Sequence, residues 1–62
     1  MTYEQARDIC NQSMENRKFK IDSEEWSMIY DILVRNNDKL SDYAKSMVRR
    51  AKSYEEYDND ML

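Results

Sequence analysis

The chain has 62 residues, ten basic and thirteen acidic, for a formal net charge of −3, with no Gly, no Pro, no His and a single Cys. That length allows one domain, near the lower limit for folding alone. The missing Gly excludes phosphate-cradling loops, dinucleotide fingerprints, nucleophile elbows and calcium loops, which need a residue without a Cβ where the backbone turns sharply or meets a ligand.

Leu, Ile, Val and Phe number ten of 62, below the roughly 20% at which disorder becomes an option. Disorder usually also requires a high net charge, and five Met, five Tyr and one Trp add apolar volume. A folded, marginally stable, all-α domain is expected, because the Asn-Gly and Asp-Gly turns of tight hairpins are missing too. One Cys permits no internal disulfide, and without His the usual zinc patterns cannot be assembled, so no metal or cofactor is expected. No apolar run is long enough for a signal peptide or a bilayer span. The expectation is a reducing, cytoplasmic setting with no membrane partner. Phe, Tyr, Met, Ile, Asn and Lys total twenty-five residues against eight for Gly, Ala, Arg and Pro. That is the bias of AT-rich coding sequence, common among small proteins of bacteriophages and mobile elements.

The first helix is predicted over residues 2–16, with Thr2 as N-cap and Glu4 and Gln5 in a first turn whose dipole favours acid. Tyr3, Ala6, Ile9, Cys10 and Met14 fall on its apolar side, and Cys10 reads as plain core. Residues 16–20 should end it, Asn being the residue that best tolerates a left-handed cap when Gly is missing. Phe19 should turn inward from the connection.

The second helix, over 22–36, is the segment the others must cover. Asp22 as N-cap puts Glu25 at the third helical position, a variant of the capping box, and Ile21 and Trp26 take the two positions of a hydrophobic staple. Trp26, Ile29, Tyr30 and Leu33 form one stripe, widened by Val34 on one side and by Met28 and Ile32 on the other. Apolar residues over so wide an arc demand neighbours on two sides. Asn36, Asn37 and Asp38 stop the helix.

The third helix is predicted over 41–55, with Leu40 preceding Ser41 as N-cap. Leu40, Ala44, Met47, Ala51 and Tyr54 recur at spacings of four and three, with Tyr43 and Val48 alongside. The next position in that series is Asp58, and acids crowd the end of the helix where its dipole disfavours them. Regular packing should therefore fade after Tyr54 into an acidic tail, residues 56–62. The predicted architecture is a three-helix bundle, one domain, with a central, broadly apolar second helix.

Charge is unevenly spread: +1 over residues 1–21, −4 over 22–38, +4 over 39–53 and −4 over 54–62. Two candidate sites follow. Lys45, Arg49 and Lys52 line the outward side of the third helix with Arg50 on its flank, a face suited to nucleic-acid phosphate or an acidic partner. Against DNA stand the acidic total and a helix start with only Asp42 and Tyr43 to meet base edges. Tyr54, Glu55, Glu56, Tyr57, Asp58 and Asp60 mix acid with aromatic groups, suited to docking on a basic, partly apolar groove of another protein. Met28 and Ile32 are a third surface, through which two copies could pair. A chain this small has no room for a water-excluding catalytic pocket beside its core, so no enzyme is expected. The leading expectation is a non-enzymatic protein-interaction module, an inhibitor or regulator of a host protein. A small DNA-binding regulator and a homo-oligomeric structural subunit are the alternatives.

Overall fold

In a computed structural model the chain forms three helices, α1 (Tyr3–Glu15), α2 (Ser23–Arg35) and α3 (Leu40–Asp60). The structure describes the backbone of residues 1–16 and 18–60 and the side chains of residues 1–16 and 18–55. The three helices pack as a small bundle in which α2 lies chiefly against α3, and α1 rests on both with a smaller contact.

Each helix start is written in local hydrogen bonds. Thr2 closes a reciprocal capping box on α1: its Oγ1 accepts from the Gln5 N–H at 3.2 Å, and Gln5 Oε1 accepts from the Thr2 N–H at 2.9 Å. At α2 the Asp22 carboxylate accepts from the Glu25 N–H at 2.8 Å. Here only half of the expected box forms, because the Glu25 side chain makes no return bond. Ile21 packs against the buried cluster that holds Trp26, as a staple should. α3 begins one residue earlier than predicted and is capped differently. Asp38, not Ser41, supplies the carboxylate, accepting from the Leu40 N–H at 2.9 Å.

The helix ends correct a second expectation. Asn16 is extended (φ −124°, ψ 105°) rather than left-handed. Its side chain instead accepts from the Lys18 N–H at 3.0 Å, fixing the start of the connection. The left-handed residue is Asn37, at φ 54°. The Asn37 N–H reaches the Val34 carbonyl and the Asp38 N–H the Leu33 carbonyl, both at 3.0 Å. That pair of bonds is a Schellman turn, which normally takes Gly and here takes the best substitute the chain contains.

The core consists of Ala6 and Cys10 from α1, Trp26, Ile29 and Leu33 from α2, and Ala44 from α3, all at most 2% exposed. Trp26 and Tyr43 meet edge to face, with ring centroids 6.0 Å apart and planes at 75°, a geometry that aligns the positive ring edge with the negative face. α1 turns a seam of small residues, Ala6, Cys10 and Ser13, toward the other helices. Ser13 is buried and Met14 is 47% exposed, the reverse of the predicted apolar side. The reason is a 2.8 Å hydrogen bond between the Ser13 and Tyr43 hydroxyls, which satisfies both polar groups and lets the helices approach closely. Ile32 is partly covered, whereas Met28 and Val34 remain 50% and 44% exposed. At about 100° per residue those two stand roughly a third of a turn apart and do not merge into one patch.

α3 outruns its neighbours. It has 21 residues against 13 in α2, about 31 Å against 20 Å of axis. Glu55 meets Ser23 at the start of α2: Oε1 accepts from the Ser23 N–H at 3.1 Å and Oε2 from its hydroxyl at 2.7 Å. Helical backbone therefore runs on through Asp60, beyond the predicted end at residue 55 and past the level where α2 begins.

Candidate functional site

Three surfaces involve α3, two of them singled out from the sequence. The first is the outward face. Lys45, Arg49 and Lys52 are all exposed, and they repeat at spacings of four and three, so they share one stripe about 10 Å long. Arg50 is exposed but stands off this stripe, on the side of α3 that borders a groove. Among the described residues the ion pairs are Arg7–Asp38 and Arg35–Asp31, and neither engages these four cations.

The second surface is the C-terminal part of α3. Tyr54 is 64% exposed, not buried on the seam as predicted, because α2 starts level with Glu55 and leaves nothing to cover it. The Lys20 ammonium sits over its ring, 5.8 Å from the centroid. Glu55 is tied down rather than loose. The Ser23 N–H, and then the Ser23 hydroxyl, hold its carboxyl below the usual carboxylate range. The side chains of Glu56, Tyr57, Asp58 and Asp60, and the whole of residues 61–62, lie outside the described residues.

The third surface was not foreseen. A groove of about 860 Å³, partly open to solvent, is lined by residues of the α1–α2 connection, the start of α2 and α3. Phe19 and Ile21 from the connection form one wall, and Tyr43, Met47 and Tyr54 from α3 form the other. Trp26 closes the floor. Phe19 is half-buried, and its N–H donates to the Asn16 carbonyl at 3.0 Å. The sequence signal was weak, since Phe19 and Ile21 flank Lys20 in a segment with no helical period.

The polar groups of the groove are of two kinds. Asp22 and Glu55 are acids, and both accept hydrogen bonds from the first turn of α2 while keeping their negative charge. Lys20 and Arg50 are exposed cations with no carboxylate engaged among the described residues. The groove thus presents aromatic side chains and two charges of each sign.

No family model, curated protein or solved structure matches the chain. Among the described residues no group of His, Cys, Asp and Glu is placed to hold a metal ion, and no helix is long and apolar enough to cross a membrane. Cys10 is wholly buried, and burial pushes its thiol up to about 11, away from thiolate chemistry.

Proposed function

We propose that the protein is a non-enzymatic protein-interaction module that docks through the C-terminal part of α3 and the groove at its base. One observation carries this reading: α3 continues past the Glu55–Ser23 junction, so a full helical turn extends where α2 offers no support. A helix end that runs beyond its neighbouring helix gains stability when a partner covers it. Acidic and aromatic residues in that turn suit a basic, partly apolar partner surface. The small size and AT-rich coding bias support the narrower proposal of a phage or mobile-element inhibitor or regulator of a host protein.

The test compares the full chain with a chain ending at Glu55, which keeps the bond to Ser23. Both should show the same melting temperature by circular dichroism, apart from the lost helical turn. In affinity capture from a bacterial host extract, the full chain should retain a partner in fixed stoichiometry and the shortened chain should lose it. Equal capture by both chains would sink the proposal.

A second reading, a DNA-binding regulator, draws on the exposed stripe of Lys45, Arg49 and Lys52. Phosphate contacts of that kind weaken steeply with salt. Duplex affinity that ignores salt, or survives conversion of all three to Ala, would remove it. Self-association draws on Met28 and Ile32, of which Met28 is 50% exposed and Ile32 is partly covered against the core.

A further inference from the structure

We infer that the outward face of α3 pairs antiparallel with the same face of a second copy of this chain, as a weak, salt-sensitive dimer. The pairing goes beyond the interaction-module reading and uses a surface other than Met28 and Ile32. It stands or falls without either.

The distribution of charge along α3 is the reason. Its 21 residues carry Lys45, Arg49, Arg50 and Lys52 in the middle and Glu55, Glu56, Asp58 and Asp60 toward the end. A stretch of +4 over 39–53 is thus followed by −4 over 54–62. That order is the reverse of what a helix prefers. The unpaired carbonyls at its C-terminal end already make that end negative, the acids add to it, and the last turn has no basic residue. Among the described residues Lys45, Arg49 and Lys52 form no ion pair. Two such helices laid side by side in opposite directions bring the basic stretch of each against the acidic end of the other, where opposite charges attract.

Register selects a second copy as the occupant. The helical backbone continues through Asp60, and at about 100° per residue positions 45, 49, 52, 56 and 60 fall within roughly 80° of its circumference. Along that line three cations are followed by two anions. Lys45 and Asp60 are centred on the same point as Arg49 and Glu56, midway between positions 52 and 53. A twofold axis there sets Lys45 opposite Asp60 of the second copy and Arg49 opposite Glu56 of the second copy, each twice. A nucleic acid would meet only the cations, and a basic protein surface only the acids. The two Lys52 flank the axis as the like-charged approach of the line, and their flexible four-carbon stems let the ammonium groups turn to solvent. Tyr43, Met47 and Tyr54 lie on the opposite side of α3, so the groove stays open in the pair.

The experiment measures translational diffusion of the full chain by NMR from about 0.05 to 2 mM. Exposed ion pairs contribute little each, so the dissociation constant should be on the order of 1 mM in about 10 mM salt, where charges act over ~30 Å, and association should vanish by about 0.5 M salt. Lys45→Glu/Arg49→Glu makes the line acidic throughout its paired positions, and Glu56→Lys/Asp60→Lys makes it basic. Each variant alone should stay monomeric at 2 mM, whereas an equal mixture of the two should associate at least as tightly as the parent chain. Glu15→Lys/Glu24→Lys changes the total charge as much as Glu56→Lys/Asp60→Lys does, at exposed positions away from α3. Mixed with Lys45→Glu/Arg49→Glu it should give no heterodimer, which separates a matched register from simple attraction between opposite net charges. Lys45→Gln/Arg49→Gln, which should also be monomeric, serves if the charge reversal does not fold. A monomeric parent chain at 2 mM in low salt, association indifferent to salt, or failure of the two variants to recover association on mixing would each overturn the inference. Host-partner capture that depends on residues 56–62, with the chain monomeric throughout, would leave the interaction reading standing and this one fallen.

Discussion

Asp38 joins three parts of the molecule through one side chain. One of its oxygens caps α3 at Leu40; the other accepts from the Tyr3 hydroxyl and pairs with Arg7 Nε at 3.2 Å. Its side chain is only 10% exposed, and Arg7 also lies over the Tyr3 ring. The N-terminal turn of α1 is thereby fastened to the α2–α3 corner. The Tyr3 bond, and then the Leu40 N–H, hold the Asp38 carboxyl below the usual carboxylate range, while the same bond raises the Tyr3 phenol. The signs differ accordingly. The Asp38 contribution is present above the ordinary carboxylate range and is lost as pH falls through its lowered value, as is that of Glu55. The Tyr3 contribution is present below its ordinary range and is lost as pH rises through its raised value. Melting temperature should therefore be flat between about pH 5 and 8 and fall on both sides. Tyr3→Phe should lower the plateau and shallow the alkaline decline, leaving the part due to Cys10. An unchanged pH profile in that variant would show that the clamp contributes nothing.

At the scale of the elements, the two connections differ in what they ask of the backbone. The α2–α3 corner needs one left-handed residue and has Asn37 there. Asn37→Gly relieves the Cβ clash at that position and should stabilise the fold by about 0.5–1 kcal/mol, raising the melting temperature by roughly 4 °C. Denaturant melts with an unchanged slope would check it. That such a turn lay within residues 36–38 was legible, because three consecutive turn formers end an apolar period. Which Asn would be left-handed was not, since φ depends on the Schellman bonds that close around it. The helices themselves were legible from spacing, and the burial of Trp26 and Leu33 followed from the breadth of the α2 stripe. The exchange of Met14 for Ser13 was not, because a buried Ser makes sense only once the Tyr43 hydroxyl is known to face it. Tyr54 misled for a related reason: a helical period carries no information about where the neighbouring helix starts. The groove lay beyond pattern reading altogether, being formed by an aperiodic connection.

Taken whole, the molecule is a long α2–α3 pair with α1 laid along it, 38 Å on its longest axis and 22 and 18 Å on the others. The α1 seam is small residues, Tyr3 and Ile9 flank it, and α1 has the lesser share of the interhelical contact. Cys10, buried in that seam, should react with a disulfide reagent only when α1 lifts away. Labelling in native buffer should be slow, and Tyr3→Phe should accelerate it well before the α2–α3 amides lose their exchange protection. Labelling and amide exchange that rise together would mean that α1 opens only with the whole fold. The corner at Asn37 has a further consequence, in the order of assembly. It joins the two most heavily packed helices through only four residues, so their pairing closes a very short loop at little entropic cost. The chain is thus expected to collapse from its C-terminal two-thirds, the N-terminal helix joining a hairpin already formed. With no proline anywhere, nothing in the chain imposes the slow isomerisation that delays so many larger proteins.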